Sequence, residues 1–148
     1  PYHAALQGLL NEARAEFGEA ILLDCHSMPH EALDSLARSG AKRPVIVIGD
    51  RFGSSADGDI VDQIEAGFAA AGLNVARNTP FAGAYVTQHY GRPSRRQHAI
   101  QIEIDRSLYM DERTVSPHSG FSAFQDLLTE IVAEIAAIGA PRKQLAAE

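Results

Sequence analysis

Side chains that can bind a metal ion or move a proton follow an apolar run near the start of the chain. The run AILL, residues 20–23, leads directly into Asp24, Cys25 and His26. An imidazole at the end of a strand suits a metal ligand or a general base, and the alternative is a structural histidine bonded to the backbone. Asp24 lies two residues earlier and points to the same side of a strand. It could fix the tautomer of a metal-bound His26, or be an ordinary hydrogen-bonded acid.

Cys25 and Ser27, next to His26 in the sequence, are weaker candidates for chemistry. A thiol beside an imidazole suggests a nucleophile and its base, but adjacent strand residues point to opposite faces. We therefore expect Cys25 to be a core thiol. Ser27 lacks the G-x-S-x-G context of a nucleophile elbow, and we expect it to shape a turn.

Glu103 stands in the middle of the stretch IQIEI, residues 100–104, between two isoleucines. If both faces of that strand are covered, the carboxylate must be paired or have a raised pKa. A carboxylate held in this way can serve as a general base. The alternative is a solvated polar face, which Gln101 and Asp105 would share with Glu103.

Residues 78–97, which carry Gly and Pro punctuation, offer groups that could bind a substrate. Arg92 could hold a carboxylate with two parallel hydrogen bonds. Asn78, Tyr85 and His89 could add further hydrogen bonds, although side chains of these types in loops are commonly only solvated.

Two further motifs give little evidence of a functional site. The stretch GDRFGSS, residues 49–55, fits neither G-x-G-x-x-G nor a Walker A motif, which argues against a nucleotide site. PHSG, residues 117–120, predicts a helix start capped by Ser119. A metal role for His118 is the weaker alternative.

The periodicity of apolar residues predicts helices alternating with strands, and a long loop at 78–97. This pattern is typical of a single domain, residues 1–148, built as a three-layer α/β sandwich around a mixed, largely parallel sheet. In such sheets ligands gather at the carboxyl ends of strands, and we expect His26 just past one such end. The predicted helices are 4–17, a short irregular one within 31–43, one around 60–71 and one at 121–138; the predicted strands are 20–25, 45–50, 73–77 and 98–105; the tail after Pro141 is predicted to fray.

The composition narrows the class of protein. The 148 residues are 45% hydrophobic and 22% charged with a formal net charge of −6, which suits a globular domain. The absence of a Lys/Arg run argues against nucleic acid or an anionic membrane as partner, and the apolar runs are too short to span a bilayer. The single cysteine excludes an internal disulfide and is compatible with the cytoplasm, where we expect the protein.

Four stretches together carry a family resemblance. They are ILLDCHSMP, IVIGDRFGSS, VARNTPFAGAYVTQHYGRP and HAIQIEIDRSLYMDE, in this order. In this combination the chain resembles the N-formylglutamate amidohydrolase family from about Tyr2 to about Ile138. That family is similar in fold to zinc carboxypeptidases, of the phosphorylase/hydrolase-like type.

The resemblance implies a zinc hydrolase that cleaves N-formyl-L-glutamate to formate and L-glutamate in histidine breakdown. By position, His26 matches a zinc ligand and Glu103 the general base. A role for Arg92 in holding a substrate carboxylate is an inference from chemistry and not from the motif.

The resemblance also implies that family members supply further zinc ligands from a segment that precedes the matched region. A catalytic zinc ion typically has three protein ligands, and His26 is the one convincing ligand here. We therefore expect this chain to be the C-terminal portion of the enzyme, to bind zinc poorly and to turn over little alone. We also expect it to expose a sheet surface through which it could self-associate.

Two other functions remain open on the sequence. The chain could be a non-catalytic α/β module that binds a carboxylate ligand or a partner, or a related metallohydrolase acting on another N-acyl amino acid or peptide. Zinc content and a substrate panel separate these alternatives.

Overall fold

The structure is a computed structural model that describes residues 1–37 and 42–138. Part of the short irregular helix predicted within 31–43, and the tail predicted to fray after Pro141, lie outside these residues. Helices and strands alternate as predicted. The elements are α1 (Tyr2–Phe17), β1 (Ala20–Met28), a 3₁₀ helix (His30–Leu33) continuing into α2 (Asp34–Ala37), β2 (Ile46–Gly49), α3 (Gly58–Ala70), β3 (Val75–Arg77), α4 (Tyr85–Tyr90), a 3₁₀ turn (Pro93–Arg95), β4 (Gln97–Asp105), a 3₁₀ turn (Arg106–Leu108), β5 (Met110–Asp111), β6 (Ser116–Pro117) and α5 (Phe121–Ala136).

The main sheet has the order β1-β4-β2-β3 and confirms the predicted mixed architecture. β1 pairs with β4 and β2 with β3 in parallel, while β2 and β4 run antiparallel. One face packs its isoleucines against α3 and α5. The other face packs against α1 and α4 at one end, and against the segment around Leu33 at the other. Helices on both faces make three layers.

β4 lies between two other strands, and all nine of its residues are buried. Its alternating isoleucines face α3 and α5, and Gln101, Glu103 and Asp105 lie on the opposite, covered face. The expectation that Glu103 is a buried carboxylate is therefore confirmed over a solvated polar face.

Several predicted boundaries are wrong. β1 continues three residues beyond the predicted end because its pairing with β4 runs to Met28, so His26 lies within the strand. The predicted loop 78–97 contains α4, which is only six residues long and has no clear apolar period. The β5–β6 hairpin was not predicted; each of its strands has only two residues.

The residues at the helix ends show which of the predicted start and stop signals the structure uses. Gly18 adopts φ 77° after α1, and its N–H bonds to Arg14, as a left-handed helix stop requires. The residue before α5 is Gly120 and not Ser119, so the predicted serine cap is wrong. Instead, Nδ1 of His118 accepts a hydrogen bond from the Gly120 N–H at 2.9 Å. Within the described ranges, no helix has the length and apolar content needed to cross a membrane.

Candidate functional site

The pairing of β1 with β4 assembles the candidate site. The parallel register places Asp24 opposite Gln101 and His26 opposite Glu103. Paired residues of neighbouring strands point to the same face, so these four polar side chains form one band across the sheet. The band lies between two apolar clusters, one around Leu10, Tyr90 and Ala99 and one around Met28, Leu33 and Val47.

His26 and Asp24 form a close pair on β1. Nε2 of His26 lies 3.1 Å from Oδ1 of Asp24, and 44% of the imidazole is exposed against 18% of the carboxylate. With the proton on Nε2 facing Asp24, the lone pair of Nδ1 remains for another partner. The second oxygen of Asp24, Oδ2, is buried and has no hydrogen-bond partner among residues 1–37 and 42–138. The pair thus keeps Nδ1 of His26 and Oδ2 of Asp24 without a partner in the described part of the chain.

Glu103 is fixed by its neighbour on β4. Nε2 of Gln101 donates to Oε1 of Glu103 at 2.7 Å, and Oε1 of Gln101 accepts from the Ala84 N–H at 2.8 Å. Burial raises the pKa of Glu103; His26, the Gln101 hydrogen bond and Arg106 oppose that rise, and Asp24 adds to it. A carboxylate with a raised pKa is a stronger base than an ordinary one.

The side chains of the band are of types that bind zinc, but too few described ligands lie together to hold the ion. Imidazole nitrogen and carboxylate oxygen are usual zinc ligands, and the unpartnered Asp24 Oδ2 fits a polar site. Within residues 1–37 and 42–138, however, no group of three or more His, Cys, Asp or Glu side chains could hold a metal ion. The described residues therefore do not complete a zinc site, and the assignment of His26 as a ligand stays a prediction.

The predicted substrate contacts do not all reach this band. Arg92 forms a bridge with Gln97, at the start of β4. Glu103 lies six residues further along the strand, about 20 Å away at 3.3 Å per residue. Nη1 of Arg92 donates to the carbonyl of Gln88 at 2.9 Å. Arg92 therefore does not lie beside Glu103, because the chain turns back before β4 begins, and its role as a substrate contact stays a prediction.

Asn78 and Tyr85 are held differently. Both amide atoms of Asn78 serve the loop after β2, because Nδ2 donates to Asp50 at 2.6 Å and Oδ1 accepts from the Asp50 N–H at 3.1 Å. Tyr85 directly follows Ala84, which binds Gln101, but its exposed ring stacks on His89. Tyr85 is thus one residue from a backbone contact to the band, while its own ring packs against His89.

Cys25 and Ser27 point away from the band. Together with Phe121, Phe124 and Leu128 they line an open cavity of about 600 Å³ between β1 and α5. The thiol is exposed because β1 has only one neighbouring strand among the described residues, so the predicted core thiol is wrong. Ser27 belongs to β1 itself and makes no turn.

Sequence reasoning missed three residues around the band. Gln101 positions Glu103, and Arg106 donates from Nε to Oγ of Ser27 at 3.2 Å. Both lie in the stretch HAIQIEIDRSLYMDE, which carries part of the family resemblance and could have pointed to them. His30 lies with Nδ1 2.7 Å from Oδ2 of the fully buried Asp105. No local pattern pointed to it.

The metal role considered for His118 is wrong. Its Nδ1 accepts from the Gly120 N–H, and its Nε2 lies 3.0 Å from the Ser107 carbonyl, to which it can donate. Both ring nitrogens are therefore in use.

The fold and the band define the class as an α/β protein that sets a buried, basic carboxylate beside an imidazole. The family model of N-formylglutamate amidohydrolase matches residues 1–110. The chain belongs to this family.

Known proteins agree with that assignment. The chain is 36% identical over 118 residues to the N-formylglutamate deformylase of Pseudomonas aeruginosa, a match covering 76% of this chain and 42% of the relative. The deformylase of Pseudomonas putida is 34% identical over 117 residues, covering 76% and 41%. The crystal structure of N-formylglutamate amidohydrolase from Ralstonia eutropha JMP134 superposes with a TM-score of 0.83 and 38% identity, covering 93% of this chain and 50% of that one. The chain thus spans half or less of these relatives.

Proposed function

We propose that this chain carries the general base of an amide hydrolase that cleaves N-formyl-L-glutamate to formate and L-glutamate. The observation behind the proposal is the register that sets His26 against Glu103 on neighbouring strands. The names of the relatives supply the substrate. By the resemblance stated above, we further propose a role in histidine breakdown and a cytoplasmic location.

In this proposal Glu103 takes a proton from the attacking water and passes it to the departing amine. Gln101 holds Oε1 of Glu103, which leaves Oε2 to face the water. The raised pKa of Glu103 brings the carboxylate closer to the operating pH and strengthens it as a base. The apolar clusters on either side of the band limit access of bulk water.

We propose zinc as the cofactor, with His26 binding it through Nδ1 and Asp24 fixing the tautomer. Bound zinc would polarise the formyl carbonyl and acidify the water. The further ligands would come from parts of the relatives that the matched segment does not cover. Tyr85 and Asn78 stay proposed substrate contacts, and self-association through the free edge of β1 stays a prediction.

The test measures formate release from N-formyl-L-glutamate after zinc loading. It uses this chain alone and the same chain completed with the part of the Ralstonia protein that it does not cover. We expect turnover in the completed form and little in the chain alone. N-acetyl-L-glutamate and N-formyl-L-aspartate in parallel test the acyl group and the chain length of the substrate.

Glu103→Gln in the completed form keeps the size of the side chain and removes the base. We expect a loss of about 10²–10⁴-fold in kcat with unchanged zinc content. Glu65→Gln, a change at a helix-surface acid paired with Arg77, is the matched control and should keep its rate. A Glu103→Gln rate near that of the control removes Glu103 as the base, and no formate from the unmodified completed form overturns the activity.

A further inference from the structure

A second polar cavity lies at the opposite end of β4 from the candidate active site. α1, α4 and the segment 92–97 line an open cavity of about 340 Å³ there. Three of its lining residues are arginines. The lining side chains are Gln7, Asn11, Arg14, His89, Arg92, Arg95 and Gln97. We call this space the arginine pocket.

The arginines of this pocket have no carboxylate partner among the described residues. Arg14 is half-buried, yet its guanidinium makes no hydrogen bond or ion pair with any described residue, and the same holds for the exposed Arg95. Arg92 is engaged through Nη1 with backbone carbonyls, without charge compensation. Five other described arginines are paired with carboxylates, namely Arg43, Arg77, Arg96, Arg106 and Arg113. Outside the pocket, Arg51 is the one described arginine without such a pair, and it donates to the Gly83 carbonyl at 3.3 Å.

Hydrogen bonds hold the neutral side chains of the arginine pocket in place. Nε2 of Gln7 donates to Oδ1 of Asn11 at 3.0 Å and to Oε1 of Gln97 at 3.3 Å. Gln97 is buried and donates its own Nε2 to the Tyr90 carbonyl at 2.7 Å. These contacts each use one lone pair of the Asn11 and Gln97 oxygens and leave the Asn11 N–H groups as donors to the pocket. The pocket therefore presents donors and positive charge.

We propose that the arginine pocket binds a small oxyanion with two or more charged oxygens, a phosphate or a dicarboxylate. Guanidinium groups match both geometries because they form two parallel hydrogen bonds to a pair of oxygens. Such an anion offsets the mutual repulsion of Arg14, Arg92 and Arg95 inside one small cavity. The pocket is distinct from the band around Glu103, because Gln97 and Glu103 are about 20 Å apart along β4.

Isothermal titration at low salt with inorganic phosphate, with glutarate and with acetate tests the proposal on the unmodified chain. We expect saturable binding of phosphate, glutarate or both, and much weaker binding of monovalent acetate. Comparing the affinities for phosphate and for glutarate shows whether the pocket prefers a phosphate or a dicarboxylate. Added sodium chloride should weaken binding, since the charges are partly exposed and are screened. The absence of saturable binding by either divalent probe overturns the proposal.

Arg14→Gln and Arg95→Gln locate the site. Each should weaken binding about tenfold, which corresponds to about 1.4 kcal/mol. Arg113→Gln, a change at an arginine that is 90% exposed and near Asp111, is the matched control and should bind normally. Arg14→Lys keeps the charge, preserves a helix former and tests the guanidinium geometry, and circular dichroism checks that each variant folds. Equal affinity in Arg14→Gln, Arg95→Gln and Arg113→Gln places the anion elsewhere and ends the proposal. The measurement needs no turnover and no zinc, so its outcome is independent of the proposed hydrolase activity.

Discussion

Two histidines on the same sheet show how a structural imidazole differs from one free to act. His98 on β4 is fully buried; its Nδ1 accepts from the Asp57 N–H at 3.2 Å and its Nε2 lies 3.1 Å from Glu19. His26 on β1 is half-exposed, and among the residues that the structure describes only its Nε2 has a partner, Asp24. His98 therefore links the start of α3 to the turn before β1. His26 keeps a lone pair available beside a buried carboxylate.

The largest expected effect separates the two histidines by function. In the completed form, His26→Ala should abolish zinc retention and reduce formate release at least about 10³-fold, since it removes a metal ligand. Metal analysis after gel filtration, with a parallel activity assay, checks this. His118→Ala is the control and should retain zinc, because both ring nitrogens of His118 already have protein partners. Normal zinc content in His26→Ala would remove His26 from the site.

The reverse effect is expected at His98. His98→Ala should lower the free energy of unfolding by about 2–4 kcal/mol, because it leaves a cavity and deprives the Asp57 N–H of its acceptor. Urea unfolding followed by circular dichroism measures the change. His26→Ala, at a half-exposed side chain, should cost less than about 1 kcal/mol. Similar losses for the two variants would contradict a structural role for His98 that His26 does not share.

A smaller effect concerns the pH dependence of stability at Glu103. Burial raises its pKa in the folded state above the ordinary 4.5, so the folded protein binds the proton more tightly than the unfolded chain. The associated stability is present below pH 4.5 and is lost as the pH rises through the raised value. Glu103→Gln removes this term. Its stability relative to the unmodified chain should therefore rise over that interval, and urea unfolding at several pH values measures it. A difference independent of pH contradicts the raised pKa.

The smallest effect is expected at Arg92. Arg92→Ala should leave the KM for N-formyl-L-glutamate in the completed form unchanged, because Arg92 lies about 20 Å from Glu103 along β4. It should weaken anion binding in the arginine pocket. Steady-state kinetics and titration with phosphate check the two halves. A clear rise in KM would restore Arg92 as the carboxylate clamp predicted from the sequence.

The two faces of β4 show which structural features the local sequence could predict and which it could not. The alternation of isoleucine with Gln101, Glu103 and Asp105 predicted the strand correctly. The same alternation is expected of an edge strand with one wet face. Only the position between β1 and β2, flanked by the apolar clusters around Leu10 and around Leu33, buries Glu103 and raises its pKa.

Long-range placement explains what the local sequence did not predict. Arg92 and Glu103 are close in sequence, but β4 is extended and carries them apart. Cys25 follows an apolar run, yet β1 has one open edge among the described strands. His30 meets Asp105 across 75 positions, a contact that no short motif encodes.

By itself the sequence determined the alternation of helices and strands, because apolar periodicity reflects local burial, and the family, because its motifs stand in order. It also named His26 and Glu103. The tertiary structure alone decided that residues 77 positions apart face one another, because strand register depends on how the whole sheet packs. It alone also gathered, at the other end of the same strand, three arginines that have no carboxylate partner among the described residues.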